Sequence, residues 1–184
     1  MLIVVSGVSG SGKNTVIEKL MEKDKNFKVF KSATTRKARE NENKKGIYLF
    51  MTKEEFEKKI ENNEFFEFEK VHDNFYGILK VQLDLVCKNK QFNYIRDIDV
   101  NGNLKLRKHF AKEDILSIFL DAPDDILKDR LIKRGESIES IDKRLSRAKF
   151  ERSHKDNYDL VIENKDLEKT IDIICKEIKK KKQK

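Results

Sequence analysis

One proline, two cysteines, three histidines and no tryptophan occur among the 184 residues. Each scarcity closes a class of protein. Cys87 and Cys175 stand far apart without metal-ligand spacing; both read as helix packing residues in a reduced, cytoplasmic compartment. His72, His109 and His154 show no ligand spacing either, and no Ser/His/Asp or Cys/His pairing stands out. No apolar run is long enough for a transmembrane helix. The N-terminal apolar stretch is too short for a signal peptide and leads straight into a glycine turn, so it reads as structure. There is no internal repeat and no low-complexity linker. The single proline, Pro123, follows Asp121 at a good first-turn position for a helix. The length argues for one domain with an ample core.

Charge, in contrast, is abundant: 40% of residues are charged and the net charge is +8. A basic surface can bind nucleic acid, or it can be the solvated shell of an ordinary enzyme, with some of the excess serving nucleotide phosphates. The lysines are scattered and mixed with glutamate, as in Glu54-Glu55-Phe56-Glu57-Lys58-Lys59, which favours the shell. No nucleic-acid recognition motif and no membrane segment are evident. The terminal run Lys179–Lys182, Gln183 and Lys184 reads as a frayed helix end whose lysines suit the negative pole of the helix dipole.

Glycine gathers in Gly7-Val8-Ser9-Gly10-Ser11-Gly12-Lys13, the pattern of a phosphate-cradling loop. It follows the β-branched run Leu2-Ile3-Val4-Val5 and precedes helical spacing over Thr15–Met21, which is the strand–loop–helix context the motif requires. Glycines let backbone N–H groups face a phosphate, the helix adds its positive end, and Lys13 supplies a cation. The residue after the lysine is usually Ser or Thr, whose hydroxyl binds Mg²⁺; here it is Asn14, whose carbonyl a hard cation tolerates, and Thr15 follows.

Apolar runs recur at 2–5, 28–32, 47–51, 65–71, 92–98, 115–120 and 159–163. Helical patterns fall at 53–61, 78–88, 124–134, 138–156 and 166–180. This alternation argues for an α/β fold, a parallel sheet flanked by helices, with the ligand at the carboxyl ends of the strands. Four further stretches carry chemistry. Arg36 and Arg39, behind Ser32-Ala33-Thr34-Thr35, suit a second phosphate or a solvated loop. In Glu64–Glu69 acidic and aromatic residues alternate; a carboxylate there can accept two parallel N–H bonds from guanine, although spacing alone favours a plain strand. Asp97 and Asp99 close a strand, point the same way at period two, and suit magnesium directly or through water better than a surface turn before Asn101-Gly102. Arg130, Arg134, Arg144 and Arg147 form either a solvated helical face or a mobile lid over transferring phosphates.

In order and spacing these motifs resemble the guanylate kinase family, from Ile3 to about Thr170. The likeness rests on the phosphate loop, Ser32–Arg36, Gly46–Phe50, Asn63–Glu67, Asn74–Gly77, Asp97–Gly102, Arg130–Gly135 and Lys143–Ala148. The resemblance implies a P-loop NTPase core (1–31, 79–123, 151–184), an inserted NMP-binding lobe (32–78) and a lid (124–150). It implies Mg²⁺-dependent transfer of the ATP γ-phosphoryl to GMP or dGMP, giving GDP and ADP in purine nucleotide metabolism, by a cytoplasmic monomer or dimer. By the same resemblance Gly7, Val8, Ser9, Gly10, Ser11, Gly12, Lys13, Asn14 and Thr15 hold ATP, Ser32, Arg36, Arg39, Tyr48, Glu67, Tyr76 and Asp99 hold GMP, Lys13, Arg130, Arg134 and Arg144 are catalytic, and Asp99 lies near the magnesium. Asn14 and Asp97 join Asp99 as candidate metal oxygens on their chemistry alone, directly or through water. Three departures stand out: Lys37-Ala38 replaces a usual Thr-Pro, Asn41 a usual glycine, and Ile78 a small hydroxyl residue that contacts nucleotide. The rival readings are a catalytically weak guanylate-kinase-like binding module and a kinase of another small phosphorylated substrate.

Overall fold

Every residue of strand β1 (Leu2–Gly7) is buried, because β1 lies at the centre of a sheet covered on both faces. The computed structural model describes residues 1–38, 46–71 and 73–183. Five parallel strands run in the order β2 (Phe27–Val29), β7 (Asn93–Asp97), β1, β8 (Ile115–Asp121) and β9 (Leu160–Glu163). Leu2 is in register with Tyr94 on one side and Ile115 on the other. Alternate side chains feed two cores. Ile3 and Val5 pack with Val16 and Leu20 of α1 (Lys13–Lys23) and Ile171, Ile174 and Ile178 of α7 (Leu167–Lys182). Leu2 and Val4 pack with Leu83 and Val86 of α3 (Lys80–Lys88) and Leu106 of α4 (Val100–His109). Burying each of these aliphatic side chains contributes about 1.5–3 kcal/mol.

A second, four-stranded sheet has the order β4 (Tyr48–Phe50), β3 (Ser32–Thr34), β6 (Asn74–Leu79) and β5 (Phe65–Val71). Here β3 and β4 are parallel, whereas β6 is antiparallel to both β3 and β5. Its own core is Ala33, Phe56, Phe65 and Leu79. Phe56 is fully buried and stacked on Phe65 at 4.2 Å and Phe75 at 5.3 Å. Phe56 arrives on α2 (Lys53–Glu61), whose start is fixed by a capping box between Thr52 and Glu55. A third cluster, with Val8, Phe119, Leu127, Ala148 and Tyr158, seats α5 (Asp124–Lys133) and α6 (Ile138–Arg152) against the end of the main sheet.

The structure corrects several expectations. The run 28–32 is two strands in two sheets, because the chain leaves the parallel sheet after Val29 and enters the second sheet at Ser32. Ile78 belongs to β6 rather than to a helix: it pairs with Glu67, and the helix starts at Lys80. Helix α6 stops at Arg152, followed by one 3₁₀ turn (Lys155–Asn157) instead of continuing to 156. Cys87 is exposed on α3, outside the hydrophobic clusters of the described residues, whereas Cys175 packs against the core. The lysine run stays helical to Lys182. Lys181 is only 14% exposed and lies 3.7 Å from Asp159, so it is held rather than frayed. Arg39, Asn41, His72 and Lys184 lie outside the described residues.

Candidate active site

The carboxyl ends of β1, β7, β8 and β9 place Gly7, Asp97, Asp121 and Asn164 along one edge of the parallel sheet. The loop between β1 and α1 turns at Gly7, with φ +136°, where an added Cβ would lie 1.9 Å from the Leu120 carbonyl oxygen. Gly12, with φ +93°, caps α1 without any side-chain hydrogen bond to the helix amides. An added Cβ at Gly12 would meet Asn164 Nδ2 at 2.7 Å. Both positions therefore exclude side chains sterically and by backbone conformation. Val8 and Ser11 are buried, and Asn14 and Thr15 are exposed on the first turn of α1.

Lys13 folds back over this loop, donating from Nζ to the carbonyls of Gly7 (2.7 Å) and Val8 (3.0 Å). Burial lowers its pKa from the ordinary lysine value; Glu151 and Asp97 oppose that shift, and Arg134 and Arg144 reinforce it. The loop thus collects positive charge from three segments. A cavity of about 510 Å³ beside it is lined by Ser9, Lys13, Lys143, Arg144, Arg147 and Glu151, among others. Burial also raises the Glu151 carboxyl, against the pull of Lys13 and Arg147.

The arginines divide in role. Arg144 donates to Ser9 Oγ at 2.8 Å and pairs through Nε with Glu136 at 2.6 Å. Arg130 is pinned, donating to the carbonyls of Gly10 (3.3 Å) and Asn164 (3.0 Å). Arg134 ends α5 as an exposed C-cap. Sequence reasoning missed Asn164, which ties the loop to α7. Its Nδ2 donates to the Ser11 carbonyl (2.7 Å), and its Oδ1 accepts from Thr170 Oγ1 (2.9 Å). The available signal was slight, a polar residue directly after an apolar strand.

A second cavity, about 300 Å³, opens between the two sheets. It gathers Ser32, Tyr48, Glu67, Tyr76, Asp97 and Asp99, residues from five separate stretches of sequence. Ile78 lines it as well, 4% exposed. The Glu67 side chain is 19% exposed, and its Oε2 lies 2.8 Å from Lys105 Nζ on α4. Tyr48 and Tyr76 meet edge to face at 6.4 Å. Arg36 is set over Tyr48 at 5.5 Å, outside the lining itself. Its segment is clamped to β6, since Thr34 Oγ1 and Thr35 N both donate to the Phe75 carbonyl. Asp99 is the N-cap of α4 and not a strand residue. Its Oδ1 accepts from the amides of Asn101 (2.8 Å) and Gly102 (2.9 Å), so the reading of two carboxylates on one strand at period two gives way to a strand end followed by a cap.

Two further cavity residues escaped the sequence reading. Lys105 carried no signal. Arg96 did, being a charge inside an otherwise apolar buried strand. For magnesium, the donors Asn14, Asp97 and Asp99 are all oxygens, as a hard cation requires. Among the described residues no group of three acidic, histidine or cysteine side chains forms a protein-only cage. That donor set fits an ion carried in on a polyphosphate and met by one or two protein oxygens or their waters.

A family model described as guanylate kinase matches residues 1–181. The chain is 41% identical over 170 residues to the guanylate kinase of Bacteroides fragilis, covering 91% of this chain and 82% of that protein. It is 39% identical over 175 residues to that of Helicobacter pylori, covering 94% and 84%. A crystal structure of guanylate kinase from Anaplasma phagocytophilum superposes with a TM-score of 0.74 at 32% identity, covering all of this chain and 87% of that one. With a family model matching nearly its whole length and relatives about 40% identical over most of both chains, the chain belongs to the guanylate kinase family.

Proposed function

We propose that the protein transfers the γ-phosphoryl group of ATP to GMP, giving ADP and GDP. One observation carries the reading: a cavity holding a Lys105-oriented Glu67 together with Ser32, Tyr48 and Tyr76 borders the carboxyl end of β7, the strand paired with the one that runs into the phosphate loop. Glu67 and Ser32 read the guanine edge, with Asp99 beside them. Arg36, Arg39, Tyr48 and Tyr76 hold the monophosphate. Residues 7–15 hold the ATP phosphates, and Arg130, Arg134 and Arg144 act from the lid side, Arg130 by fixing the loop. The NMP-binding lobe is residues 32–78 and the lid 124–150.

The chemistry asks little beyond position and charge. An oxygen of the GMP phosphate attacks the γ-phosphorus, the bond to the ADP oxygen breaks, and ADP leaves. The nucleophile is already anionic, so no general base is required. Lys13 and the lid arginines offset charge on the transferring group, and lid closure excludes water. Magnesium, met by Asn14, Asp97 or Asp99 or their waters, supplies further charge neutralisation when bound. No helix among the described residues is long and apolar enough to cross a membrane; we assign the reaction to the cytoplasm, with ATP and GMP as partners.

The test is ADP release with Mg-ATP and GMP, run beside AMP, CMP and UMP, for the wild type and Glu67→Gln. Turnover with GMP alone, and loss of discrimination against AMP in the variant, support the assignment. Absence of turnover with GMP refutes it and favours a binding module.

A further inference from the structure

Arg96 is an anomaly in strand β7. It is 6% exposed, and no carboxylate among the described residues pairs with it. Arg107, Arg144 and Arg152, by contrast, each hold an acidic side chain, and Arg130, which also donates to two carbonyls, is less buried. The Arg96 guanidinium instead spends Nη1 on two carbonyls, Phe30 O at 3.3 Å and Ile47 O at 2.6 Å. Carbonyl dipoles hold the group in place but do not cancel its charge. A buried charge left without a counter-charge is strongly unfavourable. Nε and Nη2 have no partner among the described residues, and neither is sealed in the interior. The side chain lines the smaller cavity with Ser32, Tyr48 and Glu67.

Its position is informative. The guanidinium carbon lies 4.5 Å from the centre of the Tyr48 ring, and that of Arg36 lies 5.5 Å from the same ring. Two cations, one from the parallel sheet and one from the bend after β3, therefore share one tyrosine. We infer that Arg96 is a further phosphate-binding residue, whose Nε and Nη2 receive the monophosphate of the nucleotide beside Arg36 and Tyr48. The inference rests on the reading of this cavity as the GMP site. A phosphate supplies the missing negative charge, and a guanidinium edge matches two phosphate oxygens. The Phe30 and Ile47 carbonyls pre-orient that edge, so little side-chain entropy is lost on binding.

Calorimetric titration with GMP and with guanosine tests this on wild type, Arg96→Met, Arg96→Lys and Glu67→Gln. Arg96→Met is expected to weaken GMP about tenfold to a hundredfold, the loss of one charge-assisted contact, and to leave guanosine within about twofold. Arg96→Lys restores part of the GMP affinity. Equal losses for GMP and guanosine, or no loss for either, overturn the proposal, the first result pointing to the base edge or to a structural strut. Should Arg96→Met fail to fold, the ¹⁵Nε resonance of Arg96 in the wild type, assigned with Arg96→Lys, decides: it must shift with GMP and stay put with guanosine. Glu67→Gln separates the two levels of argument. Unaltered guanosine binding in that variant removes the cavity reading itself, whereas weakened guanosine binding with an inert Arg96 removes only the present inference.

Discussion

Asn164→Ala isolates the tie between the phosphate loop and the last helix. In the wild type one amide bridges the Ser11 carbonyl at 2.7 Å and the Thr170 hydroxyl at 2.9 Å, and Asn164, Ser11 and Thr170 are all at most 3% exposed. Truncation leaves both partners buried and unsatisfied. At about 1–3 kcal/mol for each such group, the loss is about 2–6 kcal/mol, a large part of a typical domain's 5–15 kcal/mol. Thr170→Val orphans only Asn164 Oδ1 and costs about 1–2 kcal/mol. In the Asn164→Ala background the same valine removes an orphan, so it is neutral or stabilising. The cycle must therefore show coupling of at least about 1 kcal/mol. Urea unfolding followed by far-ultraviolet circular dichroism measures it, the chain having no tryptophan to report. A loop freed from this tie should raise the KM for ATP and leave the KM for GMP unchanged. Destabilisation below about 0.5 kcal/mol, or additive single variants, would refute the reasoning.

Three other perturbations follow from the same geometry. Lys13→Met should lower turnover about a thousandfold or more, while GMP binding measured by calorimetry stays within about twofold, because the lysine touches the loop carbonyls and not the second cavity. Phe56→Ala should cost about 3–5 kcal/mol; since Phe56 belongs to the core of the second sheet alone, hydrogen exchange should speed there first and the KM for GMP should rise before that for ATP. Burial pushes the Asp121 carboxyl up, but Arg152 and Lys155 outweigh it, and its pKa lies below the ordinary 3.8. The unfolded chain then takes up this proton first, so the stabilisation is full above pH 3.8 and fades as pH falls through the lowered native value. Asp121→Asn should be far less stable than wild type at neutral pH, and the gap should narrow in acid denaturation profiles below that point.

Elements governed by local chemistry were legible. Helix α2 matches its expected limits because Thr52 and Glu55 cap it and Phe56 marks its inner face. Strand β1 was legible because both its faces are buried, giving an unbroken apolar run. Strand β6 was not: Ile78 and Leu79 continue the helical spacing of Val81 and Leu83, and only pairing across the hairpin with Phe65–Val71 draws them into a sheet. The phosphate loop announced itself in consecutive residues, and the cavity residues in separate motifs. Lys105 carried no signal and Asn164 only a slight one, since each acts through a partner brought near only by the fold. Asp99 was singled out and does line the smaller cavity, but it was misread as strand, because the cap bonds that fix it depend on where α4 begins.

The two sheets also differ in how far the chain must search to build them. The second contains a hairpin in which Val71 faces Asn74 and Phe65 faces Leu79, all within one short stretch. The first cannot exist until Leu2 has found both Tyr94 and Ile115, and β9 then adds to β8 from still further along. Loop-closure entropy makes such distant parallel pairings slow, while local antiparallel ones form in microseconds. The part of the molecule that we assign to nucleotide selection is thus the part whose strands can assemble early, and the sheet edge that carries the phosphate loop is completed only when nearly the whole chain has been gathered in.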